Sequence, residues 1–150
     1  MEQGIVRDTA FKYTLSCNQS DFPKEKITSS YEASQFIRRF YGDDINIFES
    51  SYILLMNTSG ITVGYAKISQ GGIAGTVVDI KIVLKYAIDS LAAGVILAHN
   101  HPSGSLKSSE PDKRLTEKLK KALEIVDSRL LDHIILTSEG YYSMADNMEL

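Results

Sequence analysis

Short apolar runs alternate with segments of helical period along the second half of this 150-residue chain, and this alternation constrains the fold more than any other feature. Residues 73–78 predict a strand, and apolar residues at three-to-four spacing from Asp79 predict a helix that Gly94 stops. Residues 95–98 predict a strand again, and a helix and a strand follow, at 115–126 and 130–137. Strands separated by single helices predict right-handed crossovers and a partly parallel sheet.

The middle of the chain adds a hairpin to this sheet. Residues 52–56 form a continuous apolar run that is typical of a buried strand, and residues 61–69 predict a second strand. The turn residues 57–60 join them. A short last strand is predicted at 141–144. Because a hairpin is antiparallel, the sheet should be mixed, and we expect one α/β sandwich domain.

The N-terminal part is less patterned. A strand is predicted within residues 6–15, and the polar stretch 18–26 predicts a loop. Ser29 and Glu32 have capping-box spacing and should open a helix, which we expect Gly42 to end.

The composition limits the class of protein. The chain is 43% hydrophobic and 23% charged, as in globular domains. No apolar stretch approaches the ~20 residues of a membrane helix, and the first residues lack a signal-peptide pattern. The single cysteine, Cys17, cannot form an internal disulfide, which suits a reducing compartment. These features predict a cytoplasmic protein, and the net charge of -3 removes the attraction that supplies most non-specific nucleic-acid binding.

Two histidines mark the segment with the clearest potential for chemistry. His99 and His101 stand one residue apart where a predicted strand ends, so their side chains should point to the same side. Pro102 favours extended angles at His101, and Gly104 lets the chain turn back toward Asp112. Two imidazoles and one carboxylate are the protein ligands of a catalytic zinc ion, which keeps a fourth position open.

Other interpretations of these residues stay open. Ser109 and Asp112 also have capping-box spacing, and a capped helix start can still direct a ligand. His133 lies on a predicted strand and is expected to be a hydrogen-bonded, half-buried structural residue. The tripeptide 99–101 spells His-Asn-His, but the HNH nuclease motif spreads its residues over a larger element, so that assignment is rejected.

Basic residues cluster after the histidines. A solvated helix surface with Glu–Lys pairs explains them best, because Glu117 stands four residues from both Lys113 and Lys121. Binding of nucleic acid or of an acidic substrate is the alternative. The cluster consists of Lys107, Lys113, Arg114, Lys118, Lys120 and Lys121.

The motif His99-x-His101, seven residues, Ser109-x-x-Asp112 resembles that of JAMM (MPN+) metalloproteases. The string His-Asn-His-Pro-Ser-Gly at 99–104 and the string Leu-Leu-Asp-His-Ile-Ile at 130–135 look like the RadC-type branch of that superfamily. The resemblance covers residues 27–150, and residues 1–26 are expected to be an extension of strand and loop. The chain looks like a short RadC-like protein without the N-terminal helix-hairpin-helix region.

The resemblance implies a cytidine-deaminase-like, three-layer α/β fold with a mixed sheet. It also implies that His99, His101 and Asp112 hold a Zn²⁺ ion, that Ser109 holds or polarises the developing oxyanion, and that Glu49 is the general base. The implied activity is that of a metallopeptidase or isopeptidase acting on a protein or peptide. A DNA-repair role, as the RadC name suggests, and a non-catalytic scaffold stabilised by zinc are the alternatives.

Overall fold

A single mixed sheet of five strands organises the described chain. The computed structural model describes residues 9–14, 16–72 and 75–150. In chain order the strands are β1 (Ser50–Met56), β2 (Thr62–Gln70), β3 (Gly94–Asn100), β4 (Arg129–Leu136) and β5 (Tyr141–Ser143). Their order across the sheet is β2-β1-β3-β4-β5, with β3 and β4 parallel and the other neighbours antiparallel.

In the described part of the chain, three α-helices cover the two faces of this sheet, to which alternate residues of each strand point. Helix α1 (Ser30–Arg38) buries Phe36 and Ile37 against one face. Helices α2 (Ile80–Asp89) and α3 (Glu110–Ile125) bury residues such as Val83 and Leu119 against the other face. The predicted three-layer α/β architecture is confirmed. Among the described residues, no helix has the length and apolar character needed to cross a membrane.

The predicted strand at 73–78 is not formed in the part that can be examined. Residues 73 and 74 lie outside the described residues, and residues 75–79 contain only an isolated bridge between Gly72 and Gly75. Gly71 and Gly75 lie so close together that a Cβ on Gly71 would be 1.8 Å from the carbonyl oxygen of Gly75. The described residues 75–78 therefore form no strand of the sheet, and its parallel pair is β3 and β4.

The predicted strand within 6–15 also fails where it can be checked. Residues 9–14 have no regular structure, and residues 6–8 and 15 lie outside the described residues.

Two helices end differently from the predictions. Helix α1 stops at Arg38, before Gly42, because the N–H groups of Arg39 and Phe40 bond to carbonyls three residues back. Helix α2 ends without glycine: Leu91 adopts a φ of 53° and the Ala92 N–H reaches the Ala87 carbonyl.

Gly94, predicted to end helix α2, belongs instead to β3. A Cβ at this position would lie 2.5 Å from the side chain of Leu131. Glycine therefore leaves room for the side chain of Leu131 on β4.

The β1–β2 hairpin is confirmed. Its turn depends on Asn57, whose side-chain oxygen accepts hydrogen bonds from Ser59 and Ile61, and on Gly60 with a φ of 72°. Because β1 runs antiparallel to β3, the beginning of β1 lies beside the end of β3, and Ser51 is paired with His99. This register brings residues that are about fifty positions apart to one end of the sheet.

Candidate metal centre

His99 and His101 converge at the end of β3, as the sequence predicts. Their Nε2 atoms lie 2.9 Å apart. The backbone N–H of His101 donates to the carbonyl of Leu136 at 2.8 Å, so the strand-like path continues one residue beyond β3. His99 is buried, with 4% of its surface exposed, whereas His101 lies at the edge of the site.

Asp112 belongs to the capping box of α3 and also brings a carboxylate to the two histidines. Its Oδ2 accepts the backbone N–H of Ser109 at 2.9 Å, and the Ser109 hydroxyl accepts the N–H of Asp112, which completes a capping box at the start of α3. The same carboxylate places Oδ1 3.4 Å from His99 Nε2 and Oδ2 3.7 Å from His101 Nε2. The two interpretations of this residue are compatible, because the capping box directs the carboxylate toward the imidazoles; the ligand role of Asp112 stays a prediction.

Glu49 reaches the site from the residue before β1. Its Oε1 lies 3.7 Å from His99 Nε2. The backbone N–H of Glu49 donates to the carbonyl of Gly72, and the Glu49 carbonyl accepts the N–H of Gly71. A Cβ on Gly75 would lie 3.4 Å from the Glu49 carboxylate. The close glycine backbone thus leaves room for the Glu49 side chain.

Asn100, between the two histidines, is a site residue that sequence reasoning missed. Its side chain is fully buried and points to the opposite face of the sheet, where it accepts the N–H of Ser50 and donates to the carbonyls of Ile45 and Phe48, each at 2.7 Å. These bonds fix the backbone on both sides of Glu49. The signal available in the sequence was a polar residue at the end of an apolar strand, facing a core layer.

The donor set fits a metal ion such as zinc. His101 Nδ1 lies 2.8 Å from the carbonyl oxygen of Ser105, which can only accept, so Nδ1 carries the hydrogen and Nε2 of the neutral ring offers a lone pair to the site. Ligand atoms of Glu49, His99 and His101 all lie within 4.8 Å of one another. Asp112 is not in that set, but it lies within 4 Å of both histidines and makes the shortest of the carboxylate contacts, 3.4 Å to His99. Nitrogen and carboxylate oxygen are the ligands that zinc takes in catalytic sites.

The electrostatics of the site favour a positive charge beside Asp112. The nearby carboxylate of Asp112 raises the pKa of His101. Burial opposes ionisation of Asp112, but the imidazoles of His101 and His99 outweigh it, and the pKa of Asp112 lies well below the usual range. Burial lowers the pKa of His133 well below its ordinary value, so this ring is neutral.

His133 is more closely connected to the site than predicted. It is hydrogen-bonded, as expected, but it is fully buried rather than half-buried. Its Nε2 lies 2.7 Å from Nδ1 of His99.

Ser109 is exposed, and its hydroxyl oxygen is engaged as the cap of α3. The hydroxyl hydrogen is left free by that bond, so the oxyanion role implied for this side chain stays a prediction.

The basic residues on α3 are partly paired. Lys121 contacts Glu117 at 2.9 Å, and Lys113 lies 3.5 Å from Glu110 and 3.8 Å from Glu149. Exposed pairs of this kind are typical of a solvated helix surface. Binding of nucleic acid by this cluster stays a prediction.

The sequence of the chain matches a known protein family. A sequence model described as the RadC-like JAB domain matches residues 27–149. The chain belongs to this family. The resemblance inferred from the histidine motif is thereby confirmed at the level of the family, and the mixed sheet with three helices is consistent with a JAB/MPN fold.

Curated relatives of this RadC-like chain carry the name UPF0758 protein, which describes no activity. The relative from Flavobacterium johnsoniae is 43% identical over 122 residues, which cover 81% of this chain and 52% of that protein. The relative from Porphyromonas gingivalis is 39% identical over 124 residues, 82% of this chain and 54% of that protein. The relative from Clostridioides difficile is 34% identical over 151 residues, 97% of this chain and 63% of that protein. The chain thus spans about half the length of the first two relatives.

Proposed function

We propose that this protein is a zinc-dependent amide hydrolase, a peptidase or isopeptidase of the JAMM type. The observation that carries the proposal is the convergence of two imidazoles and two carboxylates at the end of β3, with His99 Nε2 within 3.7 Å of a carboxylate on each side. His99, His101 and Asp112 would hold the ion. Glu49 has the longer contact and touches one histidine only, which suits a group that must exchange a proton rather than coordinate.

Zinc would supply Lewis acidity at the substrate carbonyl and lower the pKa of a water molecule to about 7. Glu49 takes a proton from the attacking water as its oxygen bonds to the carbonyl carbon, and returns that proton to the nitrogen as the carbon–nitrogen bond breaks. The Ser109 hydroxyl would donate a hydrogen bond to the developing oxyanion. Asn100 holds the backbone around Glu49, so the carboxylate stays close to the histidines.

Metal analysis of the purified protein tests the first half of the proposal. We expect bound zinc in the unaltered protein and a loss of zinc binding in His101→Ala. The control is Lys107→Ala, which changes an exposed side chain on the loop after the histidines. This variant should bind zinc as the unaltered protein does. Absence of zinc binding in the unaltered protein, under conditions where it is folded, would refute the metal centre.

Glu49→Gln tests the second half, because it separates an enzyme from a scaffold held by zinc. A panel of internally quenched peptides and of peptides joined through a lysine side chain provides the substrates. We expect Glu49→Gln to keep its zinc and to lose about 10²–10⁴-fold in turnover. Cleavage that persists at the original rate in this variant would exclude Glu49 as the base, and zinc binding with no cleavage of any member would favour the scaffold.

A further inference from the structure

His133 lies in the core beside the ligand histidines, and the proposed reaction does not use it. The ring has two neighbours at hydrogen-bond distance: His99 Nδ1 lies 2.7 Å from its Nε2, and Thr116 Oγ1 lies 2.6 Å from its Nδ1. Thr116 Oγ1 in turn lies 2.7 Å from the backbone carbonyl of Asp112, four residues earlier on α3. The three residues His99, His133 and Thr116 are all buried, with at most 4% of their surface exposed.

The donor and the acceptor in each of these hydrogen bonds follow from the last acceptor in the series, the carbonyl of Asp112. A carbonyl oxygen can only accept, so the single hydroxyl hydrogen of Thr116 points to Asp112. The other neighbour of that hydroxyl, the thioether sulfur of Met144 at 3.4 Å, is also only an acceptor. Thr116 Oγ1 must therefore accept from Nδ1–H of His133, which leaves Nε2 of this ring as an acceptor for Nδ1–H of His99.

We infer that His133 is a positioning residue for the metal centre: the hydrogen-bond chain that runs from His99 through His133 and Thr116 to the Asp112 backbone fixes the tautomer and the orientation of His99. With the hydrogen of His99 on Nδ1, its Nε2 offers a lone pair to the site. The opposite direction would place a hydrogen on His99 Nε2, aimed at His101 Nε2 2.9 Å away, and would block coordination. The inference rests on the proposed function only in treating His99 as a metal ligand.

The chain also connects the elements that carry the ligands. His99 lies on β3, His133 on β4 and Thr116 on α3, one turn after Asp112. A shift of α3 would break the bond between Thr116 and His133, so the orientation of His99 is coupled to the position of the helix that supplies the carboxylate. Partners that hold a ligating histidine in this way commonly change metal affinity by about 10–100-fold when they are removed.

The tautomers can be measured directly by long-range ¹H–¹⁵N NMR of the imidazole rings in the metal-free 150-residue protein. Only three histidines occur in the sequence, so three ring systems need to be assigned. We expect His133 to be neutral with its hydrogen on Nδ1, and His99 to carry a hydrogen on Nδ1. A neutral His133 with its hydrogen on Nε2 would overturn the inference, whether or not the protein binds zinc.

A matched pair of variants tests the effect on the metal. Thr116→Val keeps the shape of the side chain but removes the hydroxyl, and Thr116→Ser keeps the hydroxyl. In competition with a chromophoric chelator, we expect Thr116→Val to bind zinc about tenfold more weakly and Thr116→Ser to bind as the unaltered protein does. Equal zinc affinity in all three proteins would overturn the inference, as would equal weakening in both variants, since that would indicate packing rather than the hydroxyl.

The two experiments separate this inference from the proposed function. If the unaltered protein binds no zinc, the proposed function fails, and the tautomer of His133 still decides the direction of the hydrogen-bond chain. If Thr116→Val does not fold, the tautomer measurement on the unaltered protein decides it in the same way.

Discussion

Asp112 and Glu49 bring carboxylates to the same pair of imidazoles by different means. Asp112 is held by its own helix: a capping box fixes its carboxylate, and four residues of sequence, 109–112, contain the whole arrangement. Glu49 lies outside regular structure, and its position depends on Asn100, about fifty residues later, and on backbone bonds to Gly71 and Gly72. The first carboxylate is placed by local structure and the second by the packing of strands.

This difference predicts which property depends on each carboxylate. A capping box is formed within one helical turn and does not require the rest of the sheet. The backbone around Glu49 is irregular and is held by side-chain bonds from one asparagine. Substitution of Asp112 itself should therefore act on metal binding, whereas loss of the bonds around Glu49 should act on stability and turnover.

The largest expected effect is on zinc affinity, and it tests whether Asp112 and Glu49 have different roles. Asp112→Asn keeps an acceptor for the Ser109 N–H but removes the charge, and we expect zinc affinity to fall by more than about 100-fold, beyond the usual cost of a residue outside the ligand set. Glu49→Gln should change zinc affinity by less than about tenfold. Competition titration with a chelator measures both. Similar losses in the two variants would mean that Glu49 is a ligand too, and the proposed division of roles would be wrong.

The next largest effect is on stability, and it concerns the hydrogen bonds that hold the backbone around Glu49. Asn100→Ala leaves three backbone groups without their partners, and we expect the free energy of unfolding to fall by about 3 kcal/mol. Urea denaturation measures this change. The matched control is Asn57→Ala, which removes side-chain bonds to the backbone in the partly exposed β1–β2 turn and should cost about 1 kcal/mol.

The zinc affinity of Asn100→Ala shows whether Asn100 acts on the metal site as well as on stability. Asn100 bonds to the backbone around Glu49 and not to the carboxylate of Asp112. Folded Asn100→Ala should therefore keep zinc affinity within about tenfold while losing turnover. A loss of zinc as large as in Asp112→Asn would show that the two halves of the site are not independent.

The smallest expected effect is at the cap itself. Ser109→Ala removes the hydroxyl that accepts the Asp112 N–H, and we expect the protein to lose about 1 kcal/mol of stability. Ser109→Thr keeps the cap and should be close to the unaltered protein in thermal melting. If Ser109 also stabilises an oxyanion, Ser109→Ala loses turnover under conditions where the variant is fully folded, and Ser109→Thr retains most of it.

The elements near the histidines were predictable because their signals are local. The strand before His99, the capping box at Ser109 and the helix that follows it each depend on residues within a few positions of one another. The hairpin with Asn57 and Gly60 was predicted for the same reason. The strand expected at 73–78 was wrong in its described part, because the close approach of Gly71 and Gly75 is a contact between backbones that an apolar pattern does not report.

The sequence by itself determined the convergence of His99 and His101 and the capped start of the helix that carries Asp112. Side chains two residues apart on an extended chain share a side, and a capping box is complete within one turn. Only the tertiary structure decided that Glu49 reaches His99, that Asn100 holds it there, and that His133 and Thr116 connect His99 to α3. Those contacts depend on the antiparallel register of β1 against β3 and the parallel register of β3 against β4, and strand register across long separations is set by the packing of the whole sheet.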